Sequence, residues 1–167
     1  MNTLIQPIQT LVVDDSMDEC ALLNFELQSV ESMKLIGFVH NGIEAIHYLR
    51  GMDAFQDRKL FPYPDLMLLD FSMPKCGGME VLKFLSREPE RPHVLLWSNT
   101  LEQVNVPLAL RLGADMVCEK PANRRELTKI MRDLEARILD TDPFLHPSKT
   151  SQGAAQALSS RVLHRHD

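Results

Sequence analysis

The sequence predicts an α/β fold: a doubly wound, five-stranded parallel sheet with helices on both faces. Two observations carry that expectation. Short apolar runs alternate with amphipathic stretches from about residue 10 to residue 140, the pattern required of strands buried on both sides by crossover helices. The 167 residues, 44% hydrophobic and 25% charged, match one compact domain with an ordinary core, at roughly 100–200 residues per domain.

The elements follow in chain order. TLVVD (Thr10 to Asp14) is the first predicted strand, and a helix follows in which Cys20, Leu23, Leu27 and Val30 share a face. Ser16 with Glu19 three residues later forms its capping signal. KLIGFV (Lys34 to Val39) is the second strand, before a helical stretch from Gly42 to Arg50; LMLLD (Leu66 to Asp70) is the third, before Gly78 to Arg87. HVLLW (His93 to Trp97) leads to a stretch ending at Leu112, and MVCE (Met116 to Glu119) leads to the last helix. There Leu127, Ile130, Met131, Leu134 and Ile138 share a face, and Asn123 with Glu126 repeats the capping signal.

Two segments interrupt the alternation. Residues 51–65, GMDAFQDRKLFPYPD, are long for a connection and read as an insertion loop, whose Phe55, Phe61 and Tyr63 pin it to the body or face a partner. Residues 141–167, rich in Ser, His, Gln and Ala, read as a flexible tail with a weak helical stretch near Ala154 to Leu163. Residues 1–8 form an N-terminal extension, leaving 9–140 as the domain. The tail is too short for a DNA-binding module, so no attached effector domain is expected.

Composition narrows the function. With 18 Lys+Arg against 23 Asp+Glu and a net charge of −5, the chain is not expected to bind nucleic acid or an anionic membrane. Cys20, Cys76 and Cys118 are odd in number and dispersed, which speaks against a disulfide framework or zinc site and fits a reducing cytoplasm. No stretch approaches a membrane span in length, and the N-terminus lacks the features of a signal peptide. His146, His164 and His166 lack metal-site spacing. Cys76 has no evident activating base.

The chemistry concentrates at the carboxyl ends of the predicted strands, where open parallel sheets place their functional crevice. These ends carry Asp14 and Asp15, Asp70, Ser98, then Glu119, Lys120 and Pro121. Clustered carboxylates repel one another until a hard divalent cation such as Mg²⁺ relieves them. A lysine ammonium and a serine hydroxyl supply further contacts for phosphoryl oxygens. Asp70, central and at the end of a buried run, is the candidate nucleophile. Singly, each residue has a blander role: helix introduction for Asp14 and Asp15, a turn for Ser98 or Asp70, a solvated loop for Lys120.

On the stretches LVVDDS (Leu11 to Ser16), LMLLDFSMPKCGGMEVL (Leu66 to Leu82), WSNT (Trp97 to Thr100) and LGADMVCEKP (Leu112 to Pro121), the chain resembles the receiver domain of two-component response regulators. The long loop before Leu66 and the MPK turn lean toward the single-domain, phytochrome-associated type. The resemblance implies a flavodoxin-like sheet of strand order 2-1-3-4-5 and Asp70 as phosphoacceptor. It further implies that Asp15 ligates Mg²⁺ (Mn²⁺ being an alternative), Asp14 acts mainly through a bound water, and the backbone carbonyl of Ser72 completes the protein ligands. Lys120 would pair with the phosphoryl group, Ser98 would move toward it, and Lys120–Pro121 would be cis.

Three positions depart from the family pattern. Val117 stands where an aromatic switch residue is common. Pro107 falls in the usual fourth helix, which is expected to be short, starting near Asn105, or kinked. Asn99 replaces a small residue and is expected to slow phosphoryl exchange. Trp97 is expected in the core.

The leading expectation is a cytoplasmic switch, not a metabolic enzyme, phosphorylated by a sensor histidine kinase or a histidine phosphotransfer protein. Its output would be binding to a downstream effector protein, relay of the phosphoryl group, or homodimer formation. The alternative is a phosphorylation-independent interaction scaffold with an altered output face. An aspartyl phosphatase ranks last, because the DxDx[TV] arrangement is missing.

Overall fold

A computed structural model describes residues 6–141. The order of elements is β1 (Ile8–Val13), α1 (Met17–Leu27), β2 (Met33–Val39), α2 (Gly42–Arg50), β3 (Leu66–Asp70), α3 (Gly78–Leu85), β4 (His93–Ser98), α4 (Val106–Arg111), β5 (Met116–Glu119) and α5 (Arg124–Thr141). The five strands pair in parallel in the order β2-β1-β3-β4-β5, the order expected of the flavodoxin-like class.

Side-chain alternation explains why both faces are covered. Leu11 and Val13 of β1, Met67 and Leu69 of β3, and Val94 and Leu96 of β4 pack with Ala45, Tyr48, Val81, Leu82 and Ala109 of α2, α3 and α4. The intervening Val12, Leu66, Leu68, Leu95 and Trp97 pack with Leu23 and Leu27 of α1 and Leu127, Met131, Leu134 and Ile138 of α5. All four apolar residues of β3 are fully buried, each contributing roughly 1.5–3 kcal/mol. That anchorage fixes the height at which Asp70 emerges.

Element ends depart modestly from the sequence expectation. β1 begins at Ile8 rather than Thr10, because Ile8 is buried and its N–H donates to the Ser32 carbonyl. α1 stops at Leu27, so Val30 lies in the following turn, its N–H donating to the Leu27 carbonyl. Pro107 does not kink α4. It sits in the first turn of this six-residue helix, where no intrahelical N–H bond is lost, and Asn105 caps the helix by accepting from the Leu108 N–H.

Residues 51–65 lie against the body. Phe55 and Phe61 pack on Tyr48 with ring centroids 5.0 and 6.0 Å away. Arg58 donates to the Tyr48 and Leu49 carbonyls at 2.7 and 2.6 Å, joining the Gly51 N–H on the first and supplying a donor to the second at the end of α2. Tyr63 donates to the Glu90 carbonyl. None of the described helices is long and apolar enough to cross a membrane. The helical stretch expected near Ala154 to Leu163 lies outside the described residues, as do His146, His164 and His166.

Candidate functional site

Three loops meet at the carboxyl edge of the sheet. β1 and β3 are neighbours whose following helices pack on opposite faces, so a crevice opens between their ends. Asp14 and Asp15 follow β1 directly, and Asp70 ends β3. Carboxylate oxygens of all three lie within 4.8 Å of one another, with Asp14 and Asp70 buried and Asp15 exposed. Such a donor set, two fixed carboxylates and one open to solvent, fits a hard divalent cation.

The backbone holds this edge tightly. Gly78, opening α3, brings its helix so close that a Cβ there would lie 2.6 Å from the Asp70 carbonyl oxygen and 2.7 Å from Leu96 Cδ1. Its N–H donates to the Phe71 carbonyl, while the Phe71 N–H donates to that of Trp97. Lys75, with φ of 66°, turns the intervening chain. Ser72 lies in this β3–α3 loop, two residues past Asp70.

Lys120 enters from the end of β5, its backbone N–H donating to the Ser98 carbonyl at 2.8 Å. Its Nζ donates to Asp14 Oδ2 at 2.9 Å, stands 3.2 Å from Asp70 Oδ1, and donates to Glu19 Oε2. The Lys120–Pro121 peptide is trans, which corrects the expected cis bond. Trans is the intrinsically favoured isomer, and the β5 hydrogen bond together with the carboxylates already aims the lysine. Ser98 is buried, and its Oγ accepts from the Thr100 N–H. Asn99 is exposed and lines a cleft with Glu19, Trp97, Lys120 and Pro121.

Electrostatics reflect crowding. Burial pushes the Asp70 carboxyl up to about 6, with Lys120 pulling it down and Asp14 and Asp15 adding to the rise. Burial alone would lower the Lys120 ammonium, but Glu19, Asp14 and Asp70 overcome that and hold it above the ordinary lysine range. The thiols are poorly reactive by the same physics: burial pushes Cys20 and Cys118 up to about 11 and raises Cys76.

Val117 and Pro107 are not part of this cluster. Val117 is half-buried and packs into the α2–α4 side of the core, and Pro107 is exposed on α4. Sequence reasoning missed two contributors. Glu19 was legible only as a capping residue, and His40 places Nδ1 3.1 Å from the Asp14 carbonyl oxygen. A glutamate one helical turn past an Asp–Asp pair is a signal that can be searched for.

A family model for the response regulator receiver domain matches residues 10–132. The chain belongs to the response regulator receiver family. This receiver is 30% identical over 173 residues to a protein-glutamate methylesterase/protein-glutamine glutaminase of Myxococcus xanthus, covering 96% of this chain and 47% of that protein. It is 35% identical over 127 residues to the transcriptional regulatory protein CpxR of Escherichia coli, covering 76% of this chain and 49% of CpxR. The chain thus spans about half the length of these curated relatives. Among solved structures it resembles the phosphorylated cyanobacterial phytochrome response regulator RcpA, with TM-score 0.68 and 26% identity over 82% of this chain and 97% of that one. The Mn²⁺-bound form of response regulator Rcp1 is similar too, with TM-score 0.64 and 26% identity over 78% of this chain and 93% of that one. The lean toward phytochrome-associated regulators holds at the level of structure.

Proposed function

We propose that this receiver is a phosphorylation-driven switch in which Asp70 accepts a phosphoryl group from a phosphohistidine. The donor would be a sensor histidine kinase or a histidine phosphotransfer protein, in the cytoplasm. The observation that carries the reading is the convergence of Asp14, Asp15 and Asp70 on one edge with Lys120 Nζ reaching both buried carboxylates.

Each residue then has a role its position suits. An Asp70 carboxylate oxygen forms the new bond to phosphorus as the phosphorus–nitrogen bond of the donor breaks, and the displaced imidazole takes up a proton. Lys120 receives a phosphoryl oxygen, and Ser98, at the end of the neighbouring strand, donates to another. Asp14, Asp15, Asp70 and the Ser72 carbonyl would hold Mg²⁺ or Mn²⁺, which when bound neutralises charge on the phosphoryl oxygens. That the similar Rcp1 structure is a Mn²⁺-bound form supports this choice of ion. Output through a downstream effector protein or a second copy of the chain follows from the change of surface charge.

The test is incubation with Mg²⁺ and acetyl phosphate. A stoichiometric, acid-stable and base-labile adduct that disappears in Asp70→Asn is expected. If no adduct forms, the chain is instead an interaction scaffold that works without phosphorylation. Multiple turnover on external phosphoesters would identify a phosphatase and also overturn the proposal.

A further inference from the structure

Four of the described helices, α1, α2, α3 and α5, open with a glutamate at their third position, and α2 and α5 use it in the same way. In α2, Asn41 accepts from the Glu44 N–H while the Glu44 carboxylate turns back to the His40 N–H and the Asn41 amide. In α5, Asn123 accepts from the Glu126 N–H while the Glu126 carboxylate turns back to the Ala122 N–H and the Asn123 amide. Both are reciprocal capping arrangements, in which the carboxylate accepts from the N–H one residue before the cap and from the cap's own side-chain amide. α1 has only half of one: Ser16 Oγ accepts from the Glu19 N–H, but the Ser16 N–H is taken by Asp14 Oδ1 at 2.9 Å. The Glu19 carboxylate reaches instead across 101 positions of sequence to Lys120.

We infer that Glu19 is a positioning residue that competes with the phosphoryl group for Lys120, and that phosphorylation of Asp70 releases it toward the α1 surface. The inference rests on the reading of Asp70 as phosphoacceptor. A lysine ammonium has three N–H donors, and three carboxylates, those of Asp14, Glu19 and Asp70, already surround this one. On phosphorylation the Asp70 carboxylate gives way to phosphoryl oxygens that carry more charge than the group they replace, and as the ammonium turns toward them one of its other two partners must yield. Asp14 and Asp70 are fixed at strand ends, with side chains 0% and 6% exposed, whereas the Glu19 side chain is 39% exposed on a longer stem. Glu19 is the partner free to leave.

Its departure places a negative charge in the cleft of about 310 Å³ that it lines with Leu22, Glu26, Asn99 and Pro121. The event at Asp70 is thereby written onto α1 without any movement of the sheet. By linkage, a cation that draws Glu19 outward stabilises the phosphorylated form as much as phosphorylation strengthens binding of that cation.

Beryllofluoride with Mg²⁺, a phosphoryl mimic, provides the test on the full chain. Because a half-exposed ion pair contributes a fraction of a kcal/mol, Glu19→Gln is expected to bind the mimic roughly twofold to fivefold more tightly than wild type. Glu31→Gln, an exposed position in the turn after α1 and outside the cleft lining, serves as the comparison and should bind as wild type does. In wild type the side-chain carboxyl carbon resonance of Glu19 should shift on addition of the mimic, a change that a purely structural role for Glu19 would not produce. Unchanged affinity in Glu19→Gln, an equal gain in Glu31→Gln, or a stationary Glu19 resonance overturns the inference while leaving the phosphoacceptor reading intact. Failure of wild type to bind the mimic at all overturns both.

Discussion

Lys120 Nζ lies 2.9 Å from Asp14 Oδ2, joining the ends of β5 and β1 across 106 positions of sequence. The Asp14 side chain is fully buried and that of Lys120 nearly so. Removing one member of such a pair strands the other charge, so Lys120→Met is expected to destabilise the metal-free protein by about 3 kcal/mol. Urea unfolding checks this. Millimolar Mg²⁺ should recover part of the loss by binding the folded state alone. A loss unaffected by Mg²⁺ would mean that the carboxylates do not hold the ion.

Asp70 gives the stability of the protein a pH signature. Its carboxyl sits at about 6 in the folded chain and at about 3.9 in an unfolded one. The folded state therefore binds the proton more tightly. This group's stabilisation is full below about pH 4 and is lost as pH rises through about 6. Asp70→Asn mimics the protonated acid, so it should stabilise the metal-free protein above pH 6, by at most about 3 kcal/mol. The advantage should vanish near pH 4. Thermal unfolding across that range decides, and a gain independent of pH would refute the assignment.

Trp97 is the single tryptophan of the chain and pairs in register with Asp70. Its ring is buried, and its indole N–H has no hydrogen-bond partner among the described residues. Fluorescence therefore reports on one location beside the acidic cluster. A Mg²⁺ titration is expected to change the emission saturably, with the midpoint moved at least roughly tenfold higher in Asp15→Asn. Identical titrations in the two proteins would place the ion elsewhere.

Asn99 stands exposed between Ser98 and the loop leading to α4, on the rim of the cleft that Lys120 lines. A side chain there narrows the approach of a phosphodonor or of hydrolytic water. Asn99→Ala is expected to raise the rates of phosphorylation from acetyl phosphate and of subsequent hydrolysis together, each by roughly 2- to 10-fold. Unchanged rates would leave Asn99 without a role in exchange.

The regular elements were legible because each is a local pattern. The fully buried run LMLLD reads as a central strand, and the five-residue apolar face of α5 reads as a helix, before any contact is known. The convergence of Asp14, Asp15, Asp70 and Lys120 was legible too, because a parallel sheet sends all its carboxyl ends to one edge. Residues 51–65 were legible as an insertion loop with Phe55 and Phe61 as anchors, but not in their partners, since nothing local ties Arg58 to the carbonyls of Tyr48 and Leu49 or names Tyr48 as the ring on which Phe55 and Phe61 pack.

By itself, then, the sequence determined the order of elements, the edge on which chemistry gathers and the family to which the receiver belongs, because periodicity and strand-end residues are written locally. The tertiary structure alone decided which partner each charged group takes. Glu19 carries the same local signal as Glu44 and Glu126, yet it leaves its own helix for Lys120, because folding brings a buried ammonium within its reach. Likewise the trans Lys120–Pro121 bond and the unkinked α4 reflect the loops and first turn in which those prolines lie. Side-chain pairing over a hundred residues is a property of the assembled sheet and not of any segment within it.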